Sequence, residues 1–165
     1  MIRVATLHDA EAICGLIRVY AERDQMLPRF LPEIQQNIST FLVYERDGRI
    51  VGVCSLRKGW ERLVEVRSLA VDPGYYRQGI ATELVKQAIV NASDCETIFV
   101  LTYVTPLFSA LGFQVVAKES LPHKIWNDCR ACRHQEDCDE IAMVLSLAPV
   151  RCPAPAETLT AALSV

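Results

Sequence analysis

The chain has 165 residues, 51% of them hydrophobic and 22% charged, and a formal net charge of -3. That is apolar material for one globular domain with a substantial core, and the acidic balance excludes a general nucleic-acid binder, which needs clustered positive charge. No run approaches the ~20 apolar residues of a membrane span, and Met1-Ile2-Arg3-Val4 lacks the apolar core of a signal peptide, so a cytoplasmic protein with no membrane partner is expected.

Taken in order, residues 2–5 read as a short strand, and Thr6 with Asp9 three residues later makes a capping-box-like helix start. Ala10, Ile13, Ile17 and Tyr20 then repeat at helical spacing. Pro28 and Pro32 interrupt the pattern and put Arg29 in a loop; a second helix is expected over 33–40, with Ile34 and Ile38 facing inward. Residues 41–46 and 49–56 are β-rich and flank Asp47-Gly48, a strong hairpin signal, so they should pair antiparallel. After a loop at Lys58-Gly59-Trp60, a strand is expected over 63–71, then a helix with Leu84, Val85, Ala88 and Ile89 on one side, ending near Asn91. A strand over 97–103, a short helix over 105–111 closed by Gly112, and strands over 113–117 and 141–147 complete the pattern. Residues 120–140 are irregular, and from Ala148 the composition turns Pro- and Ala-rich, so the domain is expected to span 1–147 with a poorly ordered tail over 148–165.

Two patterns carry chemistry. Between Leu69 and Thr82 an apolar strand end runs through Asp72-Pro73-Gly74 into a basic turn containing Gly79 and then into a helix. Orphan amides and the positive end of the helix dipole make such a start an anion site, and glycine lets the anion approach the main chain. An ordinary strand-to-helix connection uses the same residue types. Just upstream, Glu65 and Arg67 alternate along the strand and so share one face, either as a charged functional spot or as an ion pair on a sheet surface.

The Leu69–Thr82 stretch resembles the acetyl-CoA-binding motif of the GNAT N-acetyltransferase superfamily, Arg/Gln-x-x-Gly-x-Gly/Ala after a Val-x-Pro turn. Gly79 and Ala81 fit, while Tyr76 stands where Arg or Gln is usual. The order of elements is also that of this superfamily, which implies an α/β fold with a mixed, mostly antiparallel twisted sheet flanked by helices. Leu27-Pro28-Arg29, Glu65-Val66-Arg67-Ser68-Leu69-Ala70-Val71, Leu101-Thr102-Tyr103-Val104, Leu111-Gly112-Phe113 and above all Leu121-Pro122-His123-Lys124-Ile125-Trp126-Asn127-Asp128-Cys129 are similar to the short bacterial N-acetylglutamate synthases, amino-acid acetyltransferases of arginine biosynthesis. This resemblance implies transfer of acetyl from acetyl-CoA to the α-amine of L-glutamate by direct attack in a ternary complex, in a protein expected to be a homodimer. The same chemistry on another amino acid or small amine, and a non-catalytic acetyl-CoA sensor, are the alternatives.

By the same resemblance, backbone groups of Leu69, Ala70 and Val71 would hold the pantetheine arm, and Arg77, Gln78, Gly79, Ile80, Ala81 and Thr82 the pyrophosphate. Glu65 would be the general base, through a water, with Arg67 binding a substrate carboxylate or holding Glu65 in place. Arg29 and Lys124 would bind substrate carboxylates; without the resemblance they are a loop arginine and a surface lysine. The family often places a tyrosine four residues before the Gly-Phe pair to protonate the thiolate. Here that position is Phe108, so either Tyr103 substitutes or no acid is dedicated to the step; from the sequence alone Tyr103 reads first as a strand-end side chain packed on the core.

Seven cysteines in a chain without an export signal point to reduced thiols or a metal rather than to disulfides. Cys129-x-x-Cys132 and Cys138, with His123 or His134, have the donor types of a structural zinc site, but no second Cys-x-x-Cys completes the pattern, which favours reduced thiols in a substrate-covering loop. Acetyl transfer requires no metal, and none is assigned to the site. Cys14, Cys54 and Cys95 fall in apolar periodic stretches and read as core.

Overall fold

Asp47 and Gly48 both adopt left-handed φ, 51° and 72°, the conformation that matches the twist of a two-residue hairpin. They join β2 (Phe41–Arg46) to β3 (Arg49–Trp60) with Arg46 opposite Arg49, as expected. The computed structural model describes residues 1–60, 62–121 and 138–147, with the backbone alone at 59 and 60. The remaining strands are β1 (Ile2–Val4), β4 (Leu63–Val71), β5 (Thr97–Thr102), β6 (Gln114–Val115) and β7 (Ile141–Ser146). The helices are α1 (Ala10–Ala21), α2 (Leu31–Gln36), α3 (Ile80–Asn91) and α4 (Thr105–Ala110).

The seven strands form one sheet in the order β1-β2-β3-β4-β5-β7-β6. Neighbours run antiparallel except β4 and β5. This is the expected α/β architecture, with helices on both faces. Ile13, Leu16 and Ile17 of α1 and Ile34 of α2 pack with Phe41, Val43 and Val53 on one face. Ile80, Leu84 and Val85 of α3 and Phe108 of α4 pack with Leu42, Val51 and Val64 on the other. The period-two alternation of Phe41, Leu42 and Val43 between the two cores is what a strand buried on both faces requires.

Some expected boundaries move. The loop expected at Lys58-Gly59-Trp60 is the end of the twelve-residue β3, which continues to pair with β4. The helix expected over 33–40 is α2 followed by a separate 3-10 turn, Ile38–Thr40, and the strand expected over 113–117 shortens to Gln114–Val115. The expected tail over 148–165 lies outside the described residues.

Strand β4 holds the most consequential irregularity. Val53 pairs with Ala70 and Ser55 with Arg67, so two steps along β3 answer three along β4, and Ser68 takes a positive φ of 54°. This bulge shifts the alternation by one. Val64 and Val66 face the α3 core upstream of it, Leu69 and Val71 face the same core downstream, and Ala70 turns to the α1 core.

Candidate active site

Strands β4 and β5 pair only at Leu63–Glu65 against Thr97–Phe99. Beyond Glu65, β5 stays with β7 along its whole length, so the edge of β4 that faced β5 opens into a cleft. The cleft has a volume of about 1630 Å³, more than the ~300–1,000 Å³ of a common ligand pocket, which suits an extended ligand together with a second small one. Its walls hold most of the residues singled out from the sequence: Arg29, Glu65, Arg67, Leu69, Val71, Tyr103 and the turn residues Arg77, Gly79, Ile80, Ala81 and Thr82.

The turn forms as its residue types demand. Asp72 accepts from the Gly74 amide at 2.8 Å, Arg77 takes a φ of 60°, and Gly79 caps α3 with a φ of 79°. Nothing lies within 4 Å of where a Gly79 Cβ would stand, so this glycine serves the left-handed φ and leaves open space over the start of α3. An anion placed in that space would meet the α3 amides and the positive end of the helix dipole. Gln78 turns away: its side chain bonds Arg46, whose guanidinium lies 5.8 Å from the Tyr44 ring and 5.7 Å from the Tyr75 ring and braces the turn from behind. Ala70 lies in the α1 core, leaving only its main chain to serve the cleft.

At the other end a chain of charges crosses from the loop before α2 to β4. Arg29 Nη1 lies 2.9 Å from Glu33 Oε1, Arg67 Nη2 is 3.5 Å from the same oxygen, and Arg67 Nη1 is 3.9 Å from Glu65 Oε2. The Arg29, Arg67 and Glu65 side chains are only 13%, 16% and 14% exposed, so these charges interact in a partly dry setting. The Cys14 thiol ties Arg29 in place by reaching its carbonyl at 3.6 Å. Glu33 escaped the sequence reading; its only signal was its place four residues after Arg29, across the first turn of α2.

Tyr103 follows β5 and is 44% exposed within the cleft, while Phe108 is buried edge-to-face on Phe113 with ring centres 5.2 Å apart. Its exposure places the Tyr103 side chain in the cleft rather than in either core. Partial burial, a hydrogen bond to the Asp139 carboxylate and the nearby charge of Glu140 hold its hydroxyl well above the usual tyrosine range, so it stays protonated. Burial likewise raises the Glu140 carboxyl, against the pull of Lys118, whose ammonium donates to the Cys138 carbonyl at 2.6 Å. Lys118, Asp139 and Glu140 all line the cleft and were not found from sequence.

Lys124, and His123, Cys129, Cys132 and His134 of the zinc reading, lie outside the described residues. Among the described residues no cluster of metal-ligand type occurs. Cys54 and Cys95 are buried as expected, and burial pushes the Cys54 thiol up to about 12. Among the described residues no helix is long and apolar enough to cross a membrane.

A family model described as the acetyltransferase (GNAT) family matches residues 6–113. An uncharacterised N-acetyltransferase of Chlorobaculum tepidum is 36% identical over 148 residues, covering 88% of this chain and 96% of that protein. An amino-acid acetyltransferase of Mycobacterium tuberculosis is 29% identical over 79% of this chain and 78% of its own length. Among solved structures, a Mycobacterium tuberculosis protein in complex with CoA and a second ligand is similar at a TM-score of 0.77 and 26% identity, over 90% of this chain and 99% of that one. An N-acetylglutamate synthase from Neisseria gonorrhoeae complexed with coenzyme A and N-acetyl-glutamate is similar at a TM-score of 0.81 and 26% identity, over 90% of this chain and 35% of that one.

Proposed function

This chain belongs to the GNAT family of acetyltransferases, with acetyl-CoA as its co-substrate, and we propose that its acceptor is the α-amine of L-glutamate. The observation that carries this reading is the convergence of Arg29 and Arg67 on one carboxylate oxygen, that of Glu33, beside Glu65 in the open cleft. Two guanidiniums already arranged around a carboxylate suit an acceptor whose own carboxylate takes that place by paired hydrogen bonds. The amino-acid acetyltransferases among the relatives and the N-acetyl-glutamate complex of a similar structure point the same way. That activity would make N-acetylglutamate, the opening step of arginine biosynthesis, in keeping with the resemblance stated above.

In this reading Glu65, through a water, takes the proton from the glutamate ammonium. The neutral amine attacks the thioester carbonyl, forming the C–N bond, while main-chain groups around Leu69 to Val71 orient the thioester. As the adduct collapses the nitrogen gives up its second proton to solvent, the C–S bond breaks, and the leaving thiolate takes a proton from the Tyr103 hydroxyl, which solvent then reprotonates. A general base and acid of this kind each contribute about 10²–10⁴-fold.

The test is thiol release from acetyl-CoA with a panel of amino acids and amines, on the wild type beside Arg29→Ala and Glu65→Gln. Turnover confined to glutamate or a close relative, with the first change acting on acceptor KM and the second on kcat, supports the assignment. One observation favours a different acceptor: Glu119, Asp139 and Glu140 also line the same cleft, a setting for a second cationic group. Preference for a diamine over glutamate in the panel would replace the glutamate reading with that one.

A further inference from the structure

Tyr20, near the C-terminal end of α1, reaches across to the open edge of β4. Its hydroxyl donates to the Val71 carbonyl at 2.6 Å and accepts from the Val71 amide at 3.2 Å. It also lies 2.8 Å from the Tyr76 hydroxyl, which can donate to its second lone pair. One phenol thus satisfies both main-chain groups of the residue at the cleft end of β4, which has no β5 partner there. Both tyrosines line the cleft, and Tyr76 is the residue that departs from the motif in the phosphate turn.

A strand edge left unpaired in a cleft offers its N–H and C=O groups to any ligand carrying an amide. Acetyl-CoA carries two secondary amides along its pantetheine arm, between a thioester directed toward Glu65 and a pyrophosphate at the start of α3. That arm would run along β4 past Val71. We propose that the Tyr20 hydroxyl is an internal substitute for a pantetheine amide: it occupies the Val71 main chain in the ligand-free protein, and the arm displaces it on binding. Tyr20 is then an affinity-setting residue for the co-substrate, because part of what the arm gains at Val71 is offset by the bonds it breaks. Tyr76 supplies the released hydroxyl with a partner that keeps it within the cleft wall. The inference rests on the pantetheine arm lying along this edge of β4 and is independent of which amine accepts the acetyl group.

The Tyr20→Phe variant keeps the ring and removes only the hydroxyl, leaving Val71 without its internal partner. The two hydrogen bonds that the arm would displace are worth about 0.5–1.5 kcal/mol net each, so CoA should bind at least about 5-fold more tightly to the variant. The 3′-phosphoadenosine diphosphate fragment of CoA, which lacks the pantetheine arm, should bind both proteins equally. Calorimetric titration of each ligand into wild type and variant reads both. CoA binding that is unchanged or weaker in Tyr20→Phe overturns the proposal, as does equal tightening for the fragment, which would place the effect in the phosphate turn. Because neither titration contains an acceptor, failure here leaves the glutamate assignment standing.

Discussion

A Cβ added to Gly52 on β3 would come within 2.8 Å of Ile80 Cγ2, so the first residue of α3 sits directly on the β3 backbone. The same added atom would stand 3.0 Å from Leu84 Cδ1, one turn further along the helix. The start of α3, where the phosphate turn ends, is therefore held at a fixed height above the sheet by the absence of a side chain on the strand beneath it.

Gly52→Ala should in consequence push α3 outward at its N-terminus. Overpacking of a tight core costs roughly 1–3 kcal/mol, which thermal melting would register. If the amides at the start of that helix hold the CoA pyrophosphate, the affinity for CoA should fall together with the melting temperature. A variant that melts as the wild type does and binds CoA normally would show that α3 tolerates the extra methyl, and that Gly52 does not set the height of the turn.

Arg67→Lys keeps the charge beside Glu65 and Glu33 but loses the planar fork. If the two guanidiniums bind the acceptor's carboxylate in paired fashion, acceptor KM should rise about 10-fold, the size of one charge-assisted bond, with acetyl-CoA KM unchanged. Initial-rate measurements varying each substrate in turn separate the two constants. An equal rise in both would move Arg67 from acceptor binding to general support of the cleft.

Tyr103→Phe tests the acid. Loss of a positioned proton donor should lower kcat by at least about 100-fold while leaving both KM values near those of the wild type. The sign of the pH effect follows from the raised ionisation of Tyr103: the acid form persists above the ordinary tyrosine value of ~10, so the wild-type rate should show no alkaline decline from this group below that pH. A wild-type decline at lower pH that disappears in Tyr103→Phe would contradict the raised value.

Most of this architecture was legible because it is written in local pattern: Asp47-Gly48 for the hairpin, the Thr6–Asp9 box for the start of the first helix, and the proline-bounded loop that isolates Arg29. Glu65 and Arg67 were placed on one face by simple alternation, and they stay on one face because the bulge comes after them. The bulge itself was only hinted at, by Ser68 following Arg67 where an apolar residue was due. Groups that meet through tertiary packing left no local trace. Glu33 finds Arg67, Tyr20 finds Val71, and Arg46 finds Gln78 and Tyr75 across distances along the chain that no periodicity reports. The end of β3 was misread because Lys58-Gly59-Trp60 has the composition of a turn, whereas pairing with β4 carries the strand through it.

The start of the first helix yields a prediction about stability against pH. Arg3 donates to both oxygens of Asp9, at 2.7 and 2.9 Å, and the Thr6 amide donates to Asp9 at 2.7 Å. The bonds from Arg3, with those from Thr6, outweigh the opposing effect of burial and hold the Asp9 carboxyl well below the usual carboxylate range. Because the folded value is depressed, the unfolded chain takes up the proton first as pH falls. The stabilisation is therefore complete above the unfolded value of ~3.9 and is lost as pH drops from there toward the folded value. Asp9→Asn, which keeps the shape but removes the charge, should cost about 1–3 kcal/mol at pH 7. Measured by urea denaturation, that difference from the wild type should shrink steadily below pH 4. A difference of the same size at pH 7 and pH 3 would mean that the charge on Asp9 does not contribute, and that packing and capping alone account for the loss.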